Sequence, residues 1–248
     1  MAAEDAGFSA IWLSDQLTGV VSGGAWCLEC WTMLAAIAAR TERIMLGPLV
    51  LNPANRDPGT LAVAIATLQG LSHGRLLLGV GTGSGRAARY SQDQIALGRV
   101  PAGDAERREE LIESLRKMRS VWADKESGFF PLHPVPPVIV GAFGFKVAAL
   151  AAEHADGIAI PLDGYIVRPV PMEDLVGATR TRREALAGPP LIVSVHAEPS
   201  SDFREERWLP GSLVRERLRA VGADRLILQS LPDAGVIRGA APALFDEQ

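Results

Sequence analysis

The sequence predicts an α/β protein of the (β/α)8 TIM-barrel type, incomplete at its N-terminus, with seven recognisable strands. Three observations carry this. Short β-like runs alternate with helix-period segments from end to end, the pattern of repeated βα units. The runs are apolar on both faces instead of alternating, as parallel strands covered by helices require. No Pro/Gly/Ser linker divides the 248 residues, so residues 1–248 are read as a single domain.

Taken in order, the first helix covers residues 2–6, and the run Ala10-Ile11-Trp12-Leu13 closes on Ser14-Asp15. A helical pattern occupies residues 30–40, a second run residues 44–51, and a second helical pattern residues 60–71. The third run, residues 76–80, enters the glycine cluster Gly81-Thr82-Gly83-Ser84-Gly85. The best helix spans residues 104–122, with Asp104 as its cap. Its apolar residues Leu111, Ile112, Leu115, Met118, Val121 and Trp122 recur at spacings of three and four, and charges fill the other face. Residues 138–140, 157–160, 191–195 and 226–229 supply the remaining runs. A barrel needs eight strands, and Met1 already adjoins the first helix. Strand one, which should precede that helix, is therefore expected to be absent from this chain. A doubly wound open sheet is the competing architecture. Its fingerprint is G-x-G-x-x-G after the first strand, whereas Gly79, Gly81, Gly83 and Gly85 follow the third.

Composition narrows the function. With 48% hydrophobic and 22% charged residues the chain is globular. Its 25 Lys and Arg against 29 Asp and Glu give a net charge of −4, which leaves no basic field for a nucleic acid. No apolar stretch approaches the roughly 20 residues that cross a bilayer. Two cysteines make no disulfide framework, and the N-terminus lacks the pattern of a signal peptide, so a cytoplasmic protein is expected. Histidines 73, 133, 154 and 196 are scattered singly and predict no metal site.

Four segments, in order, resemble the bacterial-luciferase-like superfamily of flavin- and F420-dependent oxidoreductases. They are Ala6-Gly7-Phe8-Ser9-Ala10-Ile11-Trp12-Leu13-Ser14-Asp15; Ala39-Arg40-Thr41-Glu42-Arg43-Ile44 on to Pro53; Leu71-Ser72-His73-Gly74-Arg75 through Gly83; and Pro137-Val138-Ile139-Val140-Gly141 followed by Leu150-Ala151-Ala152-Glu153-His154-Ala155-Asp156-Gly157. The resemblance covers residues 1–160 and, faintly, Gly222-Ala223-Asp224-Arg225. It implies a (β/α)8 barrel that binds FMN or coenzyme F420 at the C-terminal ends of its strands.

The resemblance and the residues together nominate a site. Asp15, at the end of a strand, is a candidate to orient a substrate, or else a turn residue. Many members follow this Asp with a His that handles a proton; Gln16 stands here, an amide that does not titrate near neutral pH. The family often carries a non-prolyl cis peptide that bulges against the ring, and the matching bond is Leu49–Val50, with plain extended strand as the alternative. Asn52 and Arg56 lie in the loop beyond. Gly81, Thr82, Gly83 and Ser84 are placed along the cofactor, since glycines admit close backbone approach. Ser84 stands where some F420-dependent sugar-phosphate dehydrogenases carry an acidic Glu. Gly141, Ala142 and Gly144 precede a helix whose free N–H groups suit a phosphate. Arg86 and Arg89 are either partners for the acidic tail of F420 or surface charges.

The leading expectation is F420-dependent hydride transfer to or from a small organic molecule, with an FMN-dependent monooxygenase as the alternative. Trp12, Trp26, Phe143 and Tyr165 suggest an apolar or ring-containing substrate. A catalytically defective barrel is a second class, motivated by Gln16 and the missing strand. Loss of that strand leaves edges near Trp12 and Leu226, which invite pairing with another chain, so a homo-oligomer is expected. Cys27-Leu28-Glu29-Cys30 raises a third class, a thiol redox protein, because a helix start can lower a thiol pKa.

Overall fold

The computed structural model describes residues 2–21, 23–162, 170–197 and 211–228. The elements are α1 (Ala2–Asp5), β1 (Ala10–Leu13), α2 (Cys30–Ala38), β2 (Met45–Pro48), α3 (Pro58–Leu71), β3 (Leu78–Val80), α4 (Gln92–Ala96), α5 (Asp104–Ala123), β4 (Val138–Gly141), α6 (Phe145–His154), β5 (Gly157–Pro161), α7 (Met172–Ala185), β6 (Ile192–Ala197), α8 (Leu213–Ala220) and β7 (Arg225–Leu228). They fall into two compact units, Trp12–Gly141, and Met1–Ile11 with Ala142–Gln248.

In the unit Trp12–Gly141, β1 pairs with β2. Parallel bridges Leu46↔Leu76 and Leu51↔Val80 join the β2 segment to the β3 segment. Strands β3 and β4 pair in parallel from Leu78↔Val138 to Val80↔Val140. In the other unit, β5, β6 and β7 are parallel, with Ala159 opposite Ser194 and Ser194 opposite Arg225. Most strand residues on both faces are buried, among them Leu78, Val80, Ile139, Val140, Ile158, Ala159, Val193 and Val195. Continuous apolar runs therefore report parallel, covered strands.

Local chemistry sets the helix ends. Helix α3 starts earlier than its apolar period suggests because Asp57 Oδ1 accepts from the Thr60 N–H at 2.7 Å and Pro58 occupies the first turn. Helix α5 buries Leu111, Leu115 and Met118, while Trp122 Nε1 donates to Ala62 O on α3 at 3.0 Å. Its cap is Gly103, not Asp104; Asp104 is the first helical residue, and its carboxylate turns to Arg107. Strand β2 ends at Pro48 instead of residue 51, and the Leu49–Val50 peptide that follows is cis. Pairing resumes where Leu51 N–H donates to Gly79 O at 2.9 Å.

Arg75, just before β3, is a buried lock. Its guanidinium donates to Ser72 O, Thr41 Oγ1, Ile44 O, Ala38 O and Thr41 O at 2.7–3.0 Å. One side chain thus satisfies the carbonyls at the end of α2 and in the loop leading to β2, groups that have no intrahelical partner.

Candidate functional site

The loop after β1 is stitched to its neighbours by two carboxylates. The Asp15 side chain is fully buried, and its oxygens accept from Arg56 NH1 and NH2, both at 2.7 Å, and from the Asn52 N–H at 2.9 Å. Arg56 also donates to Glu29 Oε1 at 2.5 Å. Glu29 Oε2 in turn accepts from the Thr32 N–H at 2.7 Å, capping α2. Burial raises the Glu29 carboxyl, but the bonds from Thr32 and Arg56 outweigh it and hold the pKa at about 2. Further along the same loop, Asp93 on α4 accepts from the Leu17 N–H at 2.8 Å and from the Thr18 hydroxyl at 2.6 Å. Asp15 therefore clamps the β1 loop to the β2 loop. Asp93, which sequence reading missed, fixes the next stretch.

The expected bulge and glycines come together at Val50. A Cβ on Gly81 would lie 2.5 Å from Val50 Cγ2, and one on Gly141 3.0 Å from Val50 Cγ1. The ends of β3 and β4 are thus bare so that the Val50 side chain can seat between them. The Gly81 N–H donates to Leu51 O at 2.8 Å, so it is engaged by the chain itself. Gly83 has a φ of +65° and faces the Asn52 amide; Asn52 Oδ1 accepts from the Ala54 N–H at 3.2 Å. Thr82 and Ser84 are half-buried on the same bend. Gln16 O accepts from Cys27 Sγ at 3.3 Å.

Sequence reading also missed Arg107. Its NH1 donates to Thr82 O at 3.3 Å and to Gly83 O, and its NH2 to Asp104 Oδ1 at 2.6 Å. The carbonyls of the glycine bend are held from α5. The available signal was Arg107-Arg108 in an otherwise acidic first stretch of helix.

Ala142 and Gly144 belong to the other unit. The Ala142 N–H donates to Ala159 O at 2.9 Å, so it too is engaged. Gly144 is the N-cap of α6, extended at φ −174° and without a side-chain cap, which leaves the first amides of the helix to other partners. His196, near the end of β6, meets the Phe143 ring edge-on at 5.9 Å. Burial pushes the His196 imidazole down to about 4 from 6.5. The unfolded chain therefore takes the proton first as the solution is acidified. This contribution is neutral above pH 6.5 and costs stability progressively down to about pH 4, reaching about 3 kcal/mol. His196→Gln is expected to flatten the fall in melting temperature between neutral pH and about pH 4; an unchanged slope would contradict this.

The other nominated residues separate from this cluster. Arg86 and Arg89 are exposed, as are Trp26 and Phe143, while Tyr165 lies outside the described residues. Cys27 and Cys30 are free thiols. Burial, aided by Asp15 and Glu29 against Arg56, raises the Cys30 pKa; burial and Asp93 raise that of Cys27. That is the reverse of the activated thiol a redox motif requires. Among the described residues no group of His, Cys, Asp and Glu could hold a metal, and no helix is long and apolar enough to cross a membrane.

The parallel strands, each but the last followed by helix among the described residues, and the bulge seated at two strand ends define an α/β protein of the TIM-barrel type. The chain belongs to the luciferase-like monooxygenase family, whose model matches residues 1–195. An uncharacterized protein of Mycobacterium tuberculosis is 37% identical over 197 residues, covering 73% of this chain and 65% of that protein; the chain thus spans just under two thirds of that relative. An F420-dependent glucose-6-phosphate dehydrogenase of Microbacterium testaceum is 30% identical over 261 residues, covering 96% of this chain and 75% of the enzyme. Among solved structures, an F420-dependent secondary alcohol dehydrogenase in complex with an F420–acetone adduct has the same fold. Its TM-score is 0.74 at 17% identity, over 99% of this chain and 93% of that one.

Proposed function

We propose that this chain is an oxidoreductase that transfers a hydride between coenzyme F420 and a small organic substrate. The observation that carries the reading is the Val50 bulge seated on Gly81 and Gly141, which offers an apolar surface to a planar ring at the ends of β3 and β4. The residues fit such a group, because the glycines admit Val50 and leave no side chain of their own in the way. F420, when bound, supplies a carbon centre that accepts and donates hydride. Arg56, Asp15 and Glu29 hold the loops beneath the bulge. Gln16 orients by hydrogen bonding and carries no proton. Gln16 and Ser84 replace the His and Glu implied by the resemblance, so we place the substrate outside the sugar phosphates. Trp12, whose ring lies against Gly47 and Gly79, favours an apolar one.

Relatives named for F420 match at 30% identity or more, which favours F420 over FMN. Titration of the purified protein with each cofactor, followed by cofactor fluorescence, is expected to give micromolar affinity for F420 and weaker binding of FMN. Tight FMN and no F420 binding would indicate the monooxygenase alternative. Micromolar affinity for neither would leave a catalytically defective barrel.

We read the two units as parts of one domain, since the family match runs through both. Among the described residues β1 and β7 each pair on one side only, which supports assembly of copies through strand edges. Size-exclusion chromatography is expected to show an oligomer, and a monodisperse monomer would overturn this. Free thiols accord with a reducing, cytoplasmic setting.

A further inference from the structure

A cavity of about 100 Å³ lies beside the glycine bend, lined by Thr82, Gln94, Arg99, Arg107 and Glu110 among others. Two guanidinium groups reach it from different segments, one from the loop after α4 and one from the first turn of α5. Arg107 is 12% exposed, and its Nε is buried with no hydrogen-bond partner among the described residues, a costly state for a charged donor. Its carboxylate partner, Asp104, is 81% exposed, where solvent screens the charge. Among the described residues Arg99 donates only to Ala54 O and makes no ion pair. Glu110, exposed and one turn beyond Arg107, is the single acid of the lining. No side chain caps the N-terminus of α5, which adds partial positive charge nearby. The space equals that of about three waters, the bulk of one tetrahedral oxyanion.

We propose that this cavity is a phosphate subsite in which Arg99 and Arg107 grip a phosphoryl group. Guanidinium forks match phosphate oxygens in geometry and charge. That the phosphoryl group belongs to the cofactor rests on the functional reading above; a substrate phosphate or free phosphate offers the same chemistry.

Arg99→Gln is the informative variant, because Arg107 also holds the glycine bend and glutamine keeps a donor for Ala54 O. Calorimetric titration of the full chain with inorganic phosphate, against chloride at matched ionic strength, is expected to show saturable binding. Arg99→Gln should weaken it about tenfold or more, with unchanged melting temperature. When the cofactor is the source, the variant also weakens F420 and FMN but not riboflavin, which lacks phosphate. When only inorganic phosphate is affected, the source is a substrate or free anion. No saturable phosphate binding in the wild type, or equal affinity in Arg99→Gln, overturns the subsite even where cofactor binding is intact. Phosphate binding without affinity for either cofactor overturns the hydride-transfer reading and leaves the subsite standing.

Discussion

Asp15→Ala is expected to lower unfolding free energy by about 3–5 kcal/mol, because it strands a buried charge. Arg56, with a side chain 18% exposed, would keep only Glu29, itself 39% exposed. The Asn52 N–H would lose its acceptor at the same time. Urea unfolding measures the loss, and cofactor titration should show weakened binding, since the loop carrying Asn52 lies against Gly83. Arg56→Met removes the stranded cation, so the double variant Asp15→Ala, Arg56→Met should cost less than the sum of the two singles. A loss under about 1 kcal/mol for Asp15→Ala, the range of exposed pairs, would mean the clamp is not formed in solution.

Arg75→Met is expected to cost a similar amount, about 3–5 kcal/mol, through several buried carbonyls that each lose a charged donor. Ala38 O, Thr41 O, Ile44 O and Ser72 O all accept from this guanidinium. Methionine fills much of the volume, so the effect isolates the polar contacts from cavity formation. Arg75→Lys should recover only part, because an ammonium cannot reach carbonyls on both sides of a planar fork. Unfolding curves for the two variants that superimpose on the wild type would show that water replaces those bonds.

Strand positions were legible because a strand buried on both faces is written as an unbroken apolar run, as at Ile139, Val140, Ile158 and Val193. Helix α5 was legible from Leu111, Leu115 and Met118. Helix α4, only five residues long, is too short to express a period. The glycines at 81 and 141 announced a close approach but not its occupant; Val50 is distant in sequence, and only folding brings it there. Asp93 and Arg107 were hidden for a different reason. A charged residue in a polar or charged stretch, Asp93 between Gln92 and Gln94 or Arg107 among acids, reads as a solvated face, and nothing local reveals that it turns inward.

Because Asp15 and Asp93 already fasten the segment after β1, its conformational freedom is surrendered during folding and not at the moment a ligand arrives. Recognition then starts from a preorganised surface, and little entropy is left to lose on docking. Loosening either fastening would shorten the residence time of a bound molecule far more than it would slow its arrival.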